Sequence, residues 1–142
     1  MSETRSLVGV WRLRRYWTAY EDGPVLYPLG EKARGYIVYT QDGFMTGTMQ
    51  RCGIAPFATP DRLAASGEEK SRAFDAYVTY CGRYRVEGET AYHSIELSLV
   101  PNWIGEEQTR RIVWQDDDHV QLVAEWRFGD RSRVAVAEWE RA

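Results

Sequence analysis

Tyr80-Cys81-Gly82-Arg83-Tyr84-Arg85-Val86-Glu87-Gly88-Glu89-Thr90-Ala91-Tyr92-His93-Ser94-Ile95-Glu96-Leu97-Ser98-Leu99 reads as two β-strands joined by a tight turn. Side-chain character alternates with a period of two on both sides of Glu87-Gly88-Glu89, the pattern of strands that bury one face. Before the turn, Tyr80, Gly82, Tyr84 and Val86 share one face, while Cys81, Arg83 and Arg85 share the other. After it, His93, Ile95, Leu97 and Leu99 alternate with Tyr92, Ser94, Glu96 and Ser98. The first set in each strand is the buried one. Gly82, between two tyrosines, is expected to let a ring or a ligand approach the backbone closely.

The same alternation extends outward in both directions. Including this pair, it occurs at about 8–20, 34–41, 43–51, 78–87, 90–100, 107–115, 119–127 and 131–141. Gln41-Asp42-Gly43, Asp116-Asp117-Asp118 and Phe128-Gly129-Asp130 supply further hairpin turns. Eight strands in hairpin order, with no long crossover, predict an all-β fold: an antiparallel up-and-down barrel in which closure removes both sheet edges. One segment, about 58–77, departs from the period. Thr59 before Pro60 reads as the start of one helix, and Ser66 to Tyr77, with Glu68 and Glu69 early, as a second. This helical insertion between the third and fourth strands is expected to turn Leu63, Phe74 and Tyr77 toward the barrel, as a plug or as a mobile lid.

The 142 residues are expected to form a single domain. A net charge of −3 provides no basic field for nucleic acid or an anionic membrane. The polar start, residues 1–8, and the lack of a long apolar run point to a cytoplasmic protein. Cys52 and Cys81 lack the spacing of a metal site or a disulfide framework and read as buried or incidental thiols. Aromatic residues make up 13% of the chain, with six Trp and nine Tyr, more than a small core requires. Such side chains line ligand cavities.

Gly9-Val10-Trp11 resembles the Gly-x-Trp that opens lipocalin-type barrels, and the last strand ends Trp139-Glu140-Arg141. The resemblance implies a final-strand Arg lying across the opening Trp and sealing one barrel end. Tyr27-Pro28-Leu29-Gly30, Gly35 to Met45, Tyr80-Cys81-Gly82-Arg83-Tyr84, and Pro101-Asn102-Trp103-Ile104-Gly105 with Gln108 and Arg110 extend the likeness over nearly the whole chain. Together they resemble the bacterial and fungal lipocalin-like domain family. That implies a calycin-type barrel, with some members serving secondary metabolism, and transfers no catalytic residues.

If Trp11 points inward, as Gly-x-Trp implies, alternation places Leu13, Arg15 and Trp17 beside it. Arg15 is then an interior cation that needs a carboxylate, a phenol or an anionic ligand, unless a β-bulge turns it outward. His93 is either a neutral, hydrogen-bonded core residue or a general acid or base of near-neutral pKa beside Tyr84. His119, beside the aspartate turn, reads as solvated. Gln108, Arg110, Ile112 and Trp114 share a face, and with Asn102 and Trp103 they either seal the barrel end or orient a carbonyl or carboxylate. Val120, Leu122, Ala124 and Trp126 form an apolar wall.

Candidate catalytic residues are thus His93, Tyr84 and Arg110; candidate ligand contacts are Arg15, Trp17, Tyr36, Tyr80, Leu97, Trp103, Gln108 and Trp126. The expected function is binding of a small hydrophobic or aromatic, polyketide-like molecule. The alternative is a cyclase, isomerase or dehydratase of natural-product biosynthesis. The chain shows no serine-triad spacing, phosphate loop, paired zinc histidines or dinucleotide fingerprint, so any such chemistry is read as free of cofactor and metal. A haem-binding barrel with His93 as proximal ligand is a third class. Tyr16, Tyr20 and Val113, read as outward, are a candidate homodimer patch.

Overall fold

A computed structural model describes residues 5–142; residues 1–4 of the polar start lie outside the described residues. The elements are β1 (Gly9–Tyr20), β2 (Val25–Leu26), β3 (Arg34–Tyr39), β4 (Phe44–Gln50), α1 (Gly67–Asp75), β5 (Tyr77–Glu87), β6 (Thr90–Ser98), β7 (Glu107–Asp116), β8 (His119–Phe128) and β9 (Arg131–Arg141), with a 3-10 turn at Pro101–Trp103. Each long strand pairs antiparallel with the next, and β9 returns to β1, closing an eight-stranded barrel. The two-residue β2 lies outside that ring, paired to the far half of β1. β1 is long enough to pair with β3 through Gly9–Arg12 and with β2 through Thr18 and Ala19. Leu29 and Ala33, from the connection that follows β2, are buried in the core.

One end is sealed. Trp11 is fully buried, its indole N–H donates to the Leu7 carbonyl at 2.8 Å, and Trp114 packs 5.9 Å away. The Arg141 guanidinium lies 4.1 Å from the centre of the Trp11 ring and donates to the carbonyls of Val8, Ser6 and Asp117 at 3.0, 3.2 and 3.1 Å. One cation thereby ties the N-terminal approach and the β7–β8 turn to the last strand. His119 is held here too, its Nδ1 2.8 Å from the Asp116 carboxylate.

Bulges decide which side chains face inward. β1 shifts register between Leu13, opposite Trp139, and Arg15, opposite Glu138, leaving Arg14 as the extra residue. Because strand side chains alternate, that one residue reverses every position after it. Arg15 therefore faces solvent and pairs with Glu138 at 3.3 Å, and Trp17 stacks under the Arg15 guanidinium at 5.5 Å. Tyr16 and fully buried Thr18 turn inward instead. The outer patch of Tyr16, Tyr20 and Val113 is consequently not formed, with Tyr20 lying under Arg131 at 3.9 Å.

A second shift sets Cys81 opposite Leu97 but Gly82 opposite Ile95, so Glu96 is the extra residue and Leu97 points outward, 68% exposed. Gly82 is required here for a different reason from the one expected: a Cβ would collide with the Ser94 carbonyl oxygen of the adjacent strand. Tyr36 is also outward, since Ile37 and Tyr39 occupy the inner face of β3.

The insertion contains one helix rather than two. Ser66 caps α1, its Oγ accepting from the Glu69 N–H at 3.1 Å while the Glu69 carboxylate accepts from the Ser66 N–H at 3.0 Å. Thr59–Ala65 forms turns: Thr59 Oγ1 accepts from the Asp61 N–H, and Asp61 Oδ1 from the Leu63 N–H at 3.0 Å. Such local bonds compete with the helical ones. Tyr77 begins β5, and neither Leu63, 69% exposed, nor Phe74 packs into the barrel. Cys52 is exposed and Cys81 half-buried.

Arg141→Ala should destabilise the fold by about 1–3 kcal/mol, since it removes a ring-stacked cation and three carbonyl partners at one site. Urea unfolding at neutral pH measures it, with an unchanged m-value expected.

Candidate functional site

The half of the barrel away from the Trp11 seal contains a cavity of about 140 Å³. An eight-stranded barrel is just wide enough for its own side chains to fill. Space remains here because Gly47, Ala124, Ala135 and Ala137 supply little volume from β4, β8 and β9. Ile37, Leu122 and Trp139 form the inner end; Met49, Val78, Trp103 and Trp126 lie toward the mouth. A Cβ added to Gly47 would meet Ile37 and Met45 at ordinary contact distances of 3.5–3.9 Å, so this glycine leaves the volume open without any steric requirement of the backbone.

The polar groups cluster on one wall. On β7, alternation puts Gln108 and Arg110 inward; on β5 and β6 it brings in Tyr80 and His93; on β3, Tyr39. His93 has no exposed surface and is bonded through both ring nitrogens, Nε2 to the Tyr39 hydroxyl at 2.7 Å and Nδ1 to the Tyr80 hydroxyl at 2.9 Å. Arg110 Nη2 donates to Gln108 Oε1 at 2.9 Å and to the Tyr80 oxygen at 3.3 Å. The result is a continuous chain, Arg110–Tyr80–His93–Tyr39.

Counting donors orients it. The Tyr39 hydroxyl, 1% exposed, has no partner but His93 among the described residues, so its proton is satisfied only by donation to Nε2. Nδ1 then carries the imidazole hydrogen and donates to the Tyr80 oxygen, which also accepts from Arg110. Tyr80 keeps its own proton for the cavity, and two donors on its oxygen strengthen it as a hydrogen-bond donor. Burial raises the pKa of Tyr80 and, more strongly, of Tyr39, so both remain protonated at neutral pH. Burial, with a smaller contribution from the Arg110 charge, pushes His93 down to about 3.

His93 is therefore a neutral positioning group, not a base poised near neutrality. Tyr84 does not reach it: the Tyr84 ring packs edge-on against Tyr39 at 4.7 Å and its O–H donates to the Thr40 carbonyl at 2.6 Å. Haem ligation by His93 is ruled out by geometry, because both nitrogens are engaged and a porphyrin far exceeds the volume. Among the described residues, no group of three or more His, Cys, Asp or Glu is arranged around a metal position.

Of the expected ligand contacts, Tyr80, Trp103, Gln108 and Trp126 line the cavity together with Arg110 and His93; Arg15, Trp17, Tyr36 and Leu97 are on the outside. Residues not anticipated from the sequence are Tyr16, Tyr39, Trp139 and Arg133. The last three were open to detection, since Tyr39 alternates with Ile37, and Arg133 and Trp139 with Ala135 and Ala137.

The model of the lipocalin-like domain matches residues 8–142. The chain belongs to the lipocalin-like domain family. No curated protein sequence matches it. Two solved structures align at a TM-score of 0.45 and 12% identity over 96% of this chain: a redesigned beta barrel, of which 91% is covered, and EF1p2_mFAP2b bound to DFHBI, of which 94% is covered. Among the described residues, no helix of this lipocalin-like barrel is long and apolar enough to cross a membrane.

Because His93 is neutral in the fold, the unfolded chain binds the extra proton between about pH 3 and pH 6.5. Its contribution to stability is present above 6.5 and is lost as pH falls toward 3, at up to about 1.4 kcal/mol per pH unit. Urea unfolding at about pH 7 and about pH 4.5 should show a smaller acid loss in His93→Gln than in the parent. Equal losses would mean that His93 is not held neutral.

Proposed function

We propose that this lipocalin-like barrel binds a compact organic molecule, about one aromatic ring in size, in its interior. The observation that carries the proposal is the combination of a 140 Å³ cavity, mostly apolar, with a single polar wall of Tyr80, Arg110 and Gln108. Binding sites that discriminate among small molecules have this composition, an apolar lining with a few placed polar groups. The volume is close to that of engineered protein cavities, about 150 Å³, that accept benzene. A polyketide-like ligand fits only as a small fragment or ring; a polycyclic one requires the mouth residues Trp103 and Trp126 to move apart.

A second reading, a cofactor-free cyclase, isomerase or dehydratase acting on such a molecule, is favoured by one observation. The Tyr80 O–H, supported by His93 and Arg110, is directed at the cavity, where a donor stabilises charge developing on a substrate oxygen. In that case Tyr80 and Arg110 are the catalytic residues and His93 positions Tyr80; Tyr84, bonded to Thr40, takes no part.

Single-ring compounds should raise the unfolding midpoint of the protein, with about 2.7 kcal/mol of stabilisation at a hundred times the dissociation constant. Gly47→Leu, which fills the cavity from β4, should remove that response while preserving the far-ultraviolet circular dichroism of the barrel. A response that survives Gly47→Leu unchanged would place the ligand elsewhere. Product analysis by mass spectrometry of the same mixtures separates the two readings: an unaltered compound indicates a binder, and one isomerised or lighter by water indicates an enzyme.

A further inference from the structure

Many of the outer arginines meet carboxylates: Arg12 and Arg14 are near Glu140, Arg15 near Glu138, Arg85 near Glu87 and Glu107, and Arg131 near Asp22. Others, such as Arg34, Arg62 and Arg127, are exposed to water. Arg110 and Arg133 face inward from β7 and β9, and among the described residues neither makes an ion pair. The partners of Arg110 are neutral: the Thr109 carbonyl at 2.9 Å, the Gln108 amide oxygen and the Tyr80 hydroxyl. Arg133, one inward position beyond Ala135, donates to Thr18 Oγ1 at 3.3 Å and lies 5.7 Å from the centre of the Tyr20 ring, and among the described residues its buried Nε has no hydrogen-bond partner. Among the described residues no carboxylate lines the cavity, although the chain has 21 acidic residues against 18 basic ones. A cation drawn out of water calls for a counter-charge, and this interior provides none of its own.

The uncharged groups agree in sign. Trp139, 3% exposed and at the inner end of the cavity, has an indole N–H with no acceptor among the described residues. Tyr80 has a spare O–H, as the donor count above requires. Gln108, whose oxygen is taken by Arg110, presents its amide N–H groups. Donors therefore occupy the polar wall and the inner end of the space, and the missing element is an acceptor bearing negative charge.

We propose that the ligand of the cavity is an organic monoanion, an apolar ring bearing a carboxylate or an enolate-type oxygen that is held by the Tyr80 hydroxyl and the Arg110 guanidinium. Arg133, on the mouth side of Ala135, draws the anion in and holds the entrance positive within a protein of net charge −3. The proposal rests on the reading of the cavity as a ligand site and adds to it the sign of the ligand. It also accounts for the extra donor on Tyr80: a phenol that accepts from imidazole and guanidinium together is suited to an anionic acceptor, toward which hydrogen bonds are roughly twice as strong as neutral ones.

Isothermal titration of the full chain at neutral pH with benzoate and with benzamide tests it, since the two probes share a ring and a planar head and differ in charge. Benzoate is expected to bind about tenfold or more tighter than benzamide. Arg110→Gln and, independently, Arg133→Gln should each reduce that preference, with benzoate affinity falling further than benzamide affinity. Two variants guard against one that fails to fold, and circular dichroism reports on each. Equal affinity for the two probes would overturn the anion proposal and leave the cavity as a site for neutral molecules. Preference for benzoate that persists in both folded variants would also overturn it. Binding of neither probe would overturn this proposal and the proposed function together.

Discussion

Everything in this molecule depends on closure of one sheet through the ladder between β1 and β9, which runs from Trp11 opposite Arg141 to Tyr20 opposite Arg133. Without it the first and last strands would be open edges, and the interior would be the exposed face of a curved sheet. With it, eight strands enclose a volume that side chains nearly fill. The ladder also fixes the two ends. At one, Arg141 lies on Trp11 and gathers the carbonyls of Ser6, Val8 and Asp117; at the other, Arg133 is carried inward beside Thr18. One seam thus builds the seal and places an inward guanidinium at the opposite end.

Within the closed barrel, the division between packed core and open cavity follows side-chain volume. Around Trp11, Tyr39, Trp114 and Trp139 the interior is filled by large rings. Beyond them Gly47, Ala124, Ala135 and Ala137 leave space that no neighbouring residue occupies. Tyr39 belongs to both regions, with its ring in the core and its hydroxyl anchoring His93. Through that anchor the core sets the orientation of the imidazole, the imidazole sets the proton of Tyr80, and the Tyr80 proton faces the cavity. A buried, neutral histidine thus determines which way a phenol points.

Charge segregation gives this interior its character. The outward face of the barrel alternates arginine with glutamate in many small, solvent-screened pairs, each worth little to stability. The inward face contains two guanidiniums and no carboxylate among the described residues. A fold under pressure for stability alone has no reason to place cations there, since replacement of buried charges by apolar groups is often neutral or stabilising.

The sequence by itself determined the architecture. Period-two alternation and hairpin turns located the eight long strands to within a few residues, because alternation and turn chemistry are local properties that need no partner strand to be legible. It also determined the polar wall in part: Tyr80, Gln108 and Arg110 lie on uninterrupted stretches of their strands, where counting by twos from an apolar neighbour suffices. The tertiary structure alone decided the rest. Arg14 and Glu96 are bulge residues only because the opposing strands are paired one residue out of step, and each bulge reverses the faces beyond it, sending Arg15, Trp17 and Leu97 outward and Tyr16 inward. The partner of His93 was decided likewise. Tyr84 is its neighbour in register, yet Tyr80 reaches the imidazole diagonally from the same adjacent strand and Tyr39 reaches it from β3 across the closed interior, so side chains do not meet only along the ladder rungs.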